Sequence, residues 1–352
     1  MERQQTSLFR QKNNWTLTAV SIVLCVMLAP VMGTLILLPQ VISVVPVLLL
    51  ALLSCVGPVS AAACGAVLVA TGGTLYGVWG ALCTLLLFAP TVVAAVVTAQ
   101  RGQPFWEAVI AGCVAMFASM GAVVGLISLL AGSDVVTAFT AMLGDIFKAY
   151  PAFSDVLIQF MEVAGMLTQQ GEAALSTLDA QTKGKLISEL LMAMDSVLRL
   201  EIPMRMATGS VTAGLLGQVA LRKGMHARGM HVAYPRLVTW HVPKGWGRIL
   251  GGTLAALYLL AQLLPSNMST MFYVFSGVFT QVFALQGIAA LCSVLERRGK
   301  SVIWQRVVFV LGYFVLSTFA MILGILDQMM DVTHRREALD KEENPFDPRR
   351  GA

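Results

Sequence analysis

The stretch TLYGVWGALCTLLLFAPTVVAAVVT, residues 74–98, decides the fold class, because it runs for 25 residues without one charged side chain. A helix of about 20 apolar residues is long enough to cross the hydrocarbon core of a bilayer. A helix also satisfies its own backbone hydrogen bonds, which lipid cannot do. We therefore predict that this segment spans a membrane.

Several other segments share this character. The chain has 352 residues, of which 57% are hydrophobic and only 12% charged, and its mean hydropathy is +0.76. A soluble domain is about one quarter charged. The prediction is an all-α, polytopic transmembrane helical bundle of about 8–9 spans. Its apolar segments are 16–38, 41–57, 59–71, 74–98, 106–131, 203–221, 249–264, 269–294 and 302–326.

The distribution of charge predicts the sidedness of the loops. Loop 222–248 contains six Lys and Arg residues and no acid, whereas segment 133–201 contains nine acids and four bases. Basic loops of membrane proteins stay in the cytoplasm. Loop 222–248 is thus predicted to be cytoplasmic, and the acidic segment to be an extracytoplasmic or interfacial insertion of amphipathic helices.

These observations give a domain plan for the whole chain. Residues 1–15 form a cytoplasmic N-terminus, 16–131 a first group of about five membrane segments, and 132–202 the helical insertion. Residues 203–326 form a second group of about four segments, and 327–352 a charged tail. The side of the tail stays open, because the span count places it outside whereas Arg335 and Arg336 favour the inside.

Several kinds of chemistry are excluded by missing motifs. The chain has no phosphate-binding P-loop, no HExxH zinc motif and no GxSxG nucleophile elbow. Its six cysteines lie in apolar runs without a CxxC pair, and the bases lie in short loops. We predict no catalytic residue, metal, cofactor or nucleic-acid partner. The histidines of loop 222–248 are predicted to be solvated, and Trp240 and Trp246 to lie at the membrane interface.

Polar residues within the spans are the candidate ligand-binding residues. Gln218, Gln281 and Gln286 lie inside apolar segments, where each could bind a small polar ligand or hydrogen bond a neighbouring helix. Arg199 and Arg205 follow acids at i, i+4 spacing at the mouth of a span. They form either structural ion pairs or the rim of a site for an anionic or zwitterionic ligand.

Glycine spacing and the last apolar run add two further patterns. GxxxG spacings indicate close helix packing at Gly73/Gly77, Gly121/Gly125 and Gly247/Gly251. In GILDQMMDVTHRRE, residues 324–337, a helix would place Asp327, Asp331 and His334 on one face. A divalent-cation site is the alternative to local pairing with basic residues, and local pairing is our interpretation.

The order of several motifs resembles the YybS-like family of bacterial multi-spanning membrane proteins of unknown function. The matching stretches are LLPQVISVVPVLLLAL, RLVTWHVPKGW, LPSNMSTMFYVFSGVFTQVFALQGIAAL and LGILDQMMDVTHR. The family-motif positions are Trp240, Pro243, Asn267, Gln286, Gly287, Gly324, Asp327 and Asp331. The first six spans of the family are in turn similar to the substrate-binding S-components of energy-coupling-factor transporters. The resemblance implies a bacterial cytoplasmic (inner) membrane protein with its N-terminus in the cytoplasm.

Three functional hypotheses follow. The first is small-molecule binding or transport with partner subunits, as in an S-component. The second is a membrane scaffold or assembly factor for envelope or division machinery, in which basic loop 222–248 and the tail dock partners. The third is an enzyme acting on a lipid-linked substrate through Asp327, Asp331 and His334, and a non-enzymatic role is favoured over it. The lipid bilayer is the one certain partner, with other membrane subunits or a second copy of the chain as candidates.

Overall fold

The computed structural model describes residues 18–20, 22–23, 43–153, 155–156, 180–230, 232, 235–242 and 245–330. The predicted N-terminus 1–15, most of the first span and the tail from residue 331 lie outside these residues. The helices with described bounds are α1 Val44–Cys55, α2 Pro58–Gln100, α3 Phe105–Ala131, α4 Val135–Ala149, α5 Ala180–Ala227, α6 Trp246–Leu263, α7 Pro265–Arg297, α8 Val302–Phe314 and α9 Ser317–Met330.

The described part of the chain contains helices and no strand, which confirms the all-α class. Three helices are long and apolar enough to cross a membrane: α2, α3 and residues Met268–Arg297 of α7. The pair α8 and α9 adds a fourth if the two helices, bent by 107°, form one broken span. Predicted spans 203–221 and 249–264 lie in α5 and α6, which are not among the three, and the count of 8–9 spans stays a prediction.

Helix α2 is a hairpin of two arms. Gly77 has φ 68° and ψ −165°, a conformation that breaks the helix and that glycine adopts without a Cβ clash. Beyond the break the second arm returns along the first, so that Phe88 packs against Cys64 and Leu68 in one buried cluster. The predicted stretch 74–98 therefore contains the turn of this hairpin, and the second arm begins at Val78.

The described residues form two compact units. Unit 1 comprises those of Met1–Val123 and Pro203–Ala352, and unit 2 those of Val124–Ile202. The limits of unit 2 lie near those of the predicted insertion 132–202. Its extracytoplasmic or interfacial location stays a prediction.

The core of unit 1 is a series of apolar clusters between helices. One joins α1, the second arm of α2 and α5 through Leu50, Leu53, Ala95, Ala99, Leu221 and Met225. Another joins α3, α5, the segment that precedes α6, and α7 through Phe105, Val109, Leu215, Trp240, Leu285 and Ala289. Each helix of these clusters is thus packed against helices distant in sequence, which fixes its depth in the bundle.

Glycines set close helix contacts at a predicted GxxxG position and at others outside that spacing. A Cβ at Gly247 of α6 would lie 2.7 Å from Cγ of Gln328 on α9. An added Cβ at Gly112 of α3 would lie 3.0 Å from the Cα of Gly214 on α5. A Cβ at Gly121 or Gly251 would meet no described atom within 4 Å. Spacing along one helix does not reveal which glycine faces a partner, because the partner helix decides it.

Unit 2 contains α4 and the first part of α5. Asp134 caps α4, and its Oδ1 accepts hydrogen bonds from the backbone N–H groups of Val136 and Thr137, at 3.1 and 3.0 Å. Arg199 of α5 donates to Asp195 at 2.7 Å and to Asp134 at 3.4 Å. The predicted Asp195–Arg199 pair is therefore present, and the same guanidinium joins α4 to α5.

Candidate functional site

Helices α7 and α9 touch at two glycines. An added Cβ at Gly287 would overlap the carbonyl oxygen of Ala320, and one at Gly324 would overlap that of Phe283. The backbones can approach so closely only because neither position carries a side chain. Gln286 stands beside the first glycine and Asp327 one turn after the second, so the crossing brings these two polar side chains together.

Gln286 and Asp327 meet a histidine from a third element. Gln286 Nε2 lies 3.2 Å from Asp327 Oδ2 and 3.2 Å from His241 Nε2. His241 Nε2 in turn lies 3.5 Å from Asp327 Oδ2. We call these three residues the polar cluster.

The hydrogen bonds of the polar cluster define the roles of its atoms. The backbone N–H of Val242 donates to Gln286 Oε1 at 3.2 Å, which identifies the amide oxygen and leaves Nε2 as the donor to Asp327. His241 Nδ1 lies 2.8 Å from the carbonyl oxygen of Val242 and must carry a proton to bond it. A neutral His241 then accepts from Gln286 at Nε2, whereas a protonated one donates from Nε2 toward Asp327.

The polar cluster is sealed from the surface of unit 1. His241 and Gln286 are each 1% exposed, and Asp327 is 3% exposed. Burying a carboxylate costs several kcal/mol, at order of magnitude, unless hydrogen bonds and an opposite charge compensate. The amide of Gln286 provides a hydrogen bond, and the imidazole of His241 adds an opposite charge when it is protonated.

The backbone that carries His241 is irregular and runs into the interior of unit 1. Arg236 lies beside Glu296 at the end of α7, with 3.3 Å between Nη1 and Oε1. Val242 lies beside Gln286 of the same helix. Ten residues separate these two positions on α7, which corresponds to about 15 Å of helix. The segment that links them contains one 3-10 turn, Leu237–Thr239, and is buried from Val238 to Val242.

This location corrects the prediction that His241 is solvated, whereas His226 is exposed as predicted and His231 lies outside the described residues. Helix α5 continues to Ala227, and His241 is buried with a carboxylate beside it. Trp240 is buried as well and stacks on Trp106 with 5.0 Å between ring centroids, whereas Trp246 is 45% exposed. The basic composition of the loop gave no sign that residues 238–242 are buried, because the contacts that bury them come from α7 and α9.

A second buried polar group contains Gln218 and Arg222 of α5. Gln218 Nε2 donates to Thr98 at 3.1 Å, and Gln218 Oε1 accepts from Arg222 Nε at 3.3 Å. Arg222 is 1% exposed, donates to the carbonyl oxygen of Gln103 at 2.7 Å, and lies over the ring of Phe105. Arg222 therefore lies in helix α5 and not in a loop, and its cytoplasmic side stays a prediction. The i, i+4 spacing of Gln218 and Arg222 was the available signal.

Gln281 differs from the other two candidate glutamines. Its side chain lies near Tyr313, whose hydroxyl pairs with Thr212. Its Nε2 is buried and has no hydrogen-bond partner among the described residues. Buried donors are nearly always satisfied, by protein, water or a ligand. Gln281 therefore holds a buried donor that no described residue satisfies.

The remaining predicted residues are not members of the polar cluster. Arg199 belongs to unit 2, whereas Arg205 is an exposed residue of unit 1. Asn267 lies in the first turn of α7, and Pro243, Asp331 and His334 lie outside the described residues. Within the described ranges no three His, Cys, Asp or Glu residues are close enough to hold a metal ion.

Comparisons of the chain with protein-family models, curated proteins and solved structures found no match. Fold and site together define an all-helical protein whose apolar helices are compatible with insertion in a membrane. Four of the motif positions named above meet at the helix crossing. Gly287 lies against Gly324, and Gln286 donates a hydrogen bond to Asp327.

Proposed function

We propose that this protein is an integral membrane protein that binds a small polar molecule inside its helical bundle as a step in transport. The observation that carries the proposal is the polar cluster, which holds a carboxylate and an imidazole inside unit 1. Ionisable residues within membrane bundles are costly and are concentrated at substrate, ion and proton pathways.

The irregular segment beside the polar cluster supports the same proposal. Backbone that is not helical is tolerated at membrane depth only where protein buries it or where it lines a water-filled cavity. In many transporters, interrupted helices place backbone dipoles and polar side chains around the bound substrate. Segment 235–242 and the break between α8 and α9 are two such interruptions, and both adjoin α7.

Gln281 indicates the chemistry of the ligand. Its buried Nε2 offers a hydrogen bond, which a carbonyl or carboxylate oxygen of a small molecule would accept. Gln286 and Gln218 use their amide groups in bonds within the protein. Of the three predicted glutamines, Gln281 is therefore the one that we assign to ligand contact.

Partners and location complete the proposal. The chain has no P-loop of its own, so an S-component-like role requires an energy-providing partner subunit or a second copy of the chain. The YybS-like resemblance supports the cytoplasmic membrane of a bacterium, with the N-terminus inside. The basic residues of loop 222–248 and the charged tail support the alternative role of a scaffold that docks other proteins.

Retention of a ligand by the purified protein tests the proposal. The full chain, extracted from membranes in mild detergent, is analysed by native mass spectrometry for bound small molecules. We expect a bound polar species in the wild type and in the control Asp145→Asn, whose carboxylate is exposed in unit 2. Gln281→Leu keeps the size of the side chain and removes the donor, so this variant should lose the species while remaining monodisperse. A wild-type protein that carries no such species would contradict the proposal.

A further inference from the structure

Four bases lie in or beside the short connection between α7 and α8. The sequence ERRGKSVIWQR, residues 296–306, contains Arg297, Arg298, Lys300 and Arg306 and a single acid, Glu296, which pairs with Arg236. Arg298, Lys300 and Arg306 are exposed. The connection thus presents a net positive surface.

The turn between the helices is tight and holds these bases together. Gly299 has φ +67°, and its N–H donates to the carbonyl oxygen of Glu296 at 2.9 Å. The N–H of Lys300 donates to the carbonyl oxygen of Leu295 at 3.0 Å. This pattern ends a helix on a left-handed glycine, so Arg298 and Lys300 flank a fixed turn.

An exposed apolar stripe runs along α8 directly from the basic turn. One face of α8 packs on α7, where Gly312 lies against Ile288 and Gln305 accepts a hydrogen bond from Cys292. The opposite face is exposed through Ile303, Val307, Val310 and Leu311. Trp304, which is 57% exposed, lies at the junction between the bases and the stripe.

We infer that this end of unit 1 binds an anionic phospholipid. Its phosphate would lie against Arg298, Lys300 and Arg306, and its acyl chain along the exposed stripe of α8. Clusters of bases next to a membrane helix attract anionic headgroups, and tryptophan favours the interface between headgroups and chains. A stripe of aliphatic side chains next to a basic turn matches both halves of a lipid, whereas an acidic protein partner would match only the turn.

The binding test uses the full chain in nanodiscs that contain phosphatidylcholine and increasing phosphatidylglycerol, with lipid retention measured by native mass spectrometry. The test variant is Arg298→Gln/Lys300→Gln. The control is Lys148→Gln/Lys185→Gln, which removes the same charge from exposed positions of unit 2. Each base near an anionic headgroup contributes roughly fivefold to affinity, so the test variant should retain phosphatidylglycerol about 30-fold less tightly. The control should match the wild type, and added salt should reduce the difference.

Two results would overturn the inference. The first is equal retention of phosphatidylcholine and phosphatidylglycerol by the wild type, or no loss in the test variant. The second comes from a photo-crosslinking residue at Ile303 of the exposed stripe in cells, if it captures a protein in place of lipid. A competition with soluble glycerol phosphate separates the headgroup from the acyl chain. If glycerol phosphate displaced the lipid at equal concentration, the stripe would not contribute to binding, which would also contradict the inference.

Discussion

The carboxylates of Asp327 and Asp134 each contact two polar side chains, but one carboxylate is buried and the other is half exposed. Asp327 in unit 1 is 3% exposed and meets an amide and an imidazole. The side chain of Asp134 in unit 2 is 50% exposed and meets a threonine and an arginine. Water can replace a lost partner of Asp134 but not one of Asp327, because the unfulfilled bond of a buried group is costly. Depth in the bundle therefore decides how much each contact contributes to stability.

The largest effect is expected from Gly324→Ala, which disrupts the close contact between α7 and α9 that brings the polar cluster together. The new Cβ would overlap the backbone of α7, which cannot move aside as a side chain can. We expect a loss of roughly 3 kcal/mol or more in the free energy of unfolding. The control Gly251→Ala enters open space and should be neutral or slightly stabilising. Thermal unfolding in detergent measures both, and equal midpoints would contradict the close crossing.

The next largest effect is expected from Asp327→Ala. It leaves a donor of Gln286 without its acceptor in a buried site, at a cost of about 3 kcal/mol. Asp145→Ala removes an equivalent carboxylate from an exposed pair and should leave the unfolding midpoint unchanged. If both variants unfolded at the wild-type midpoint, the polar cluster would not be a buried, interdependent site.

A smaller, pH-dependent effect is expected in unit 2. The hydrogen bonds that Asp134 accepts from Thr137, followed by that from Arg199, lower its pKa from 3.8 to about 2. A carboxyl group with a lowered pKa in the folded state stabilises the fold above its unfolded pKa. That contribution is lost as the pH falls from about 4 to 2. Amide exchange of α4, corrected for intrinsic rates, should therefore accelerate over this range.

Asp134→Asn is the matched variant for that measurement. Asparagine caps a helix about as well as aspartate but does not titrate. The variant should keep α4 protected at pH 6 and should lack the acceleration between pH 4 and 2. An identical acceleration in the variant would assign the effect to another carboxyl group.

The smallest effect is expected from Lys148→Ala in unit 2. Lys148 and Asp145 are separated by 3.4 Å, but their side chains are 82% and 78% exposed. Exposed pairs contribute little, because solvent and salt screen them. The unfolding midpoint should match that of the wild type. A clear decrease would mean that exposure is a poor guide to the importance of a contact in this protein.

The apolar runs were sufficient to predict helices and the all-α class, because a run of this kind is a local property. The burial of segment 235–242, in contrast, does not follow from the residues of that segment alone. His241 is polar and lies among bases in the sequence. Two of the side chains that make its burial favourable, Gln286 and Asp327, lie 45 and 86 residues further along the chain. Pairings over such separations are not visible in the composition of either partner.

The residues of the candidate site show the same contrast between what is local in the sequence and what depends on distant partners. Gln218 and Gln286 were predicted to be either ligand contacts or links between helices, and the structure places both in bonds between segments. Asp327 was interpreted as an interfacial acid with basic neighbours in sequence. Its actual partners come from α7 and from the segment before α6, because the crossing at Gly324 turns it inward.

The polar cluster also sets an order for the biosynthesis of the chain. Its members leave the ribosome in the sequence His241, Gln286, Asp327, so the acid arrives last. A nascent or truncated chain that ends before α9 holds the imidazole and the amide without the carboxylate. Such a chain also leaves the Gly287 face of α7 uncovered. Completion of α9 is thus the step that completes the polar cluster and covers the Gly287 face of α7.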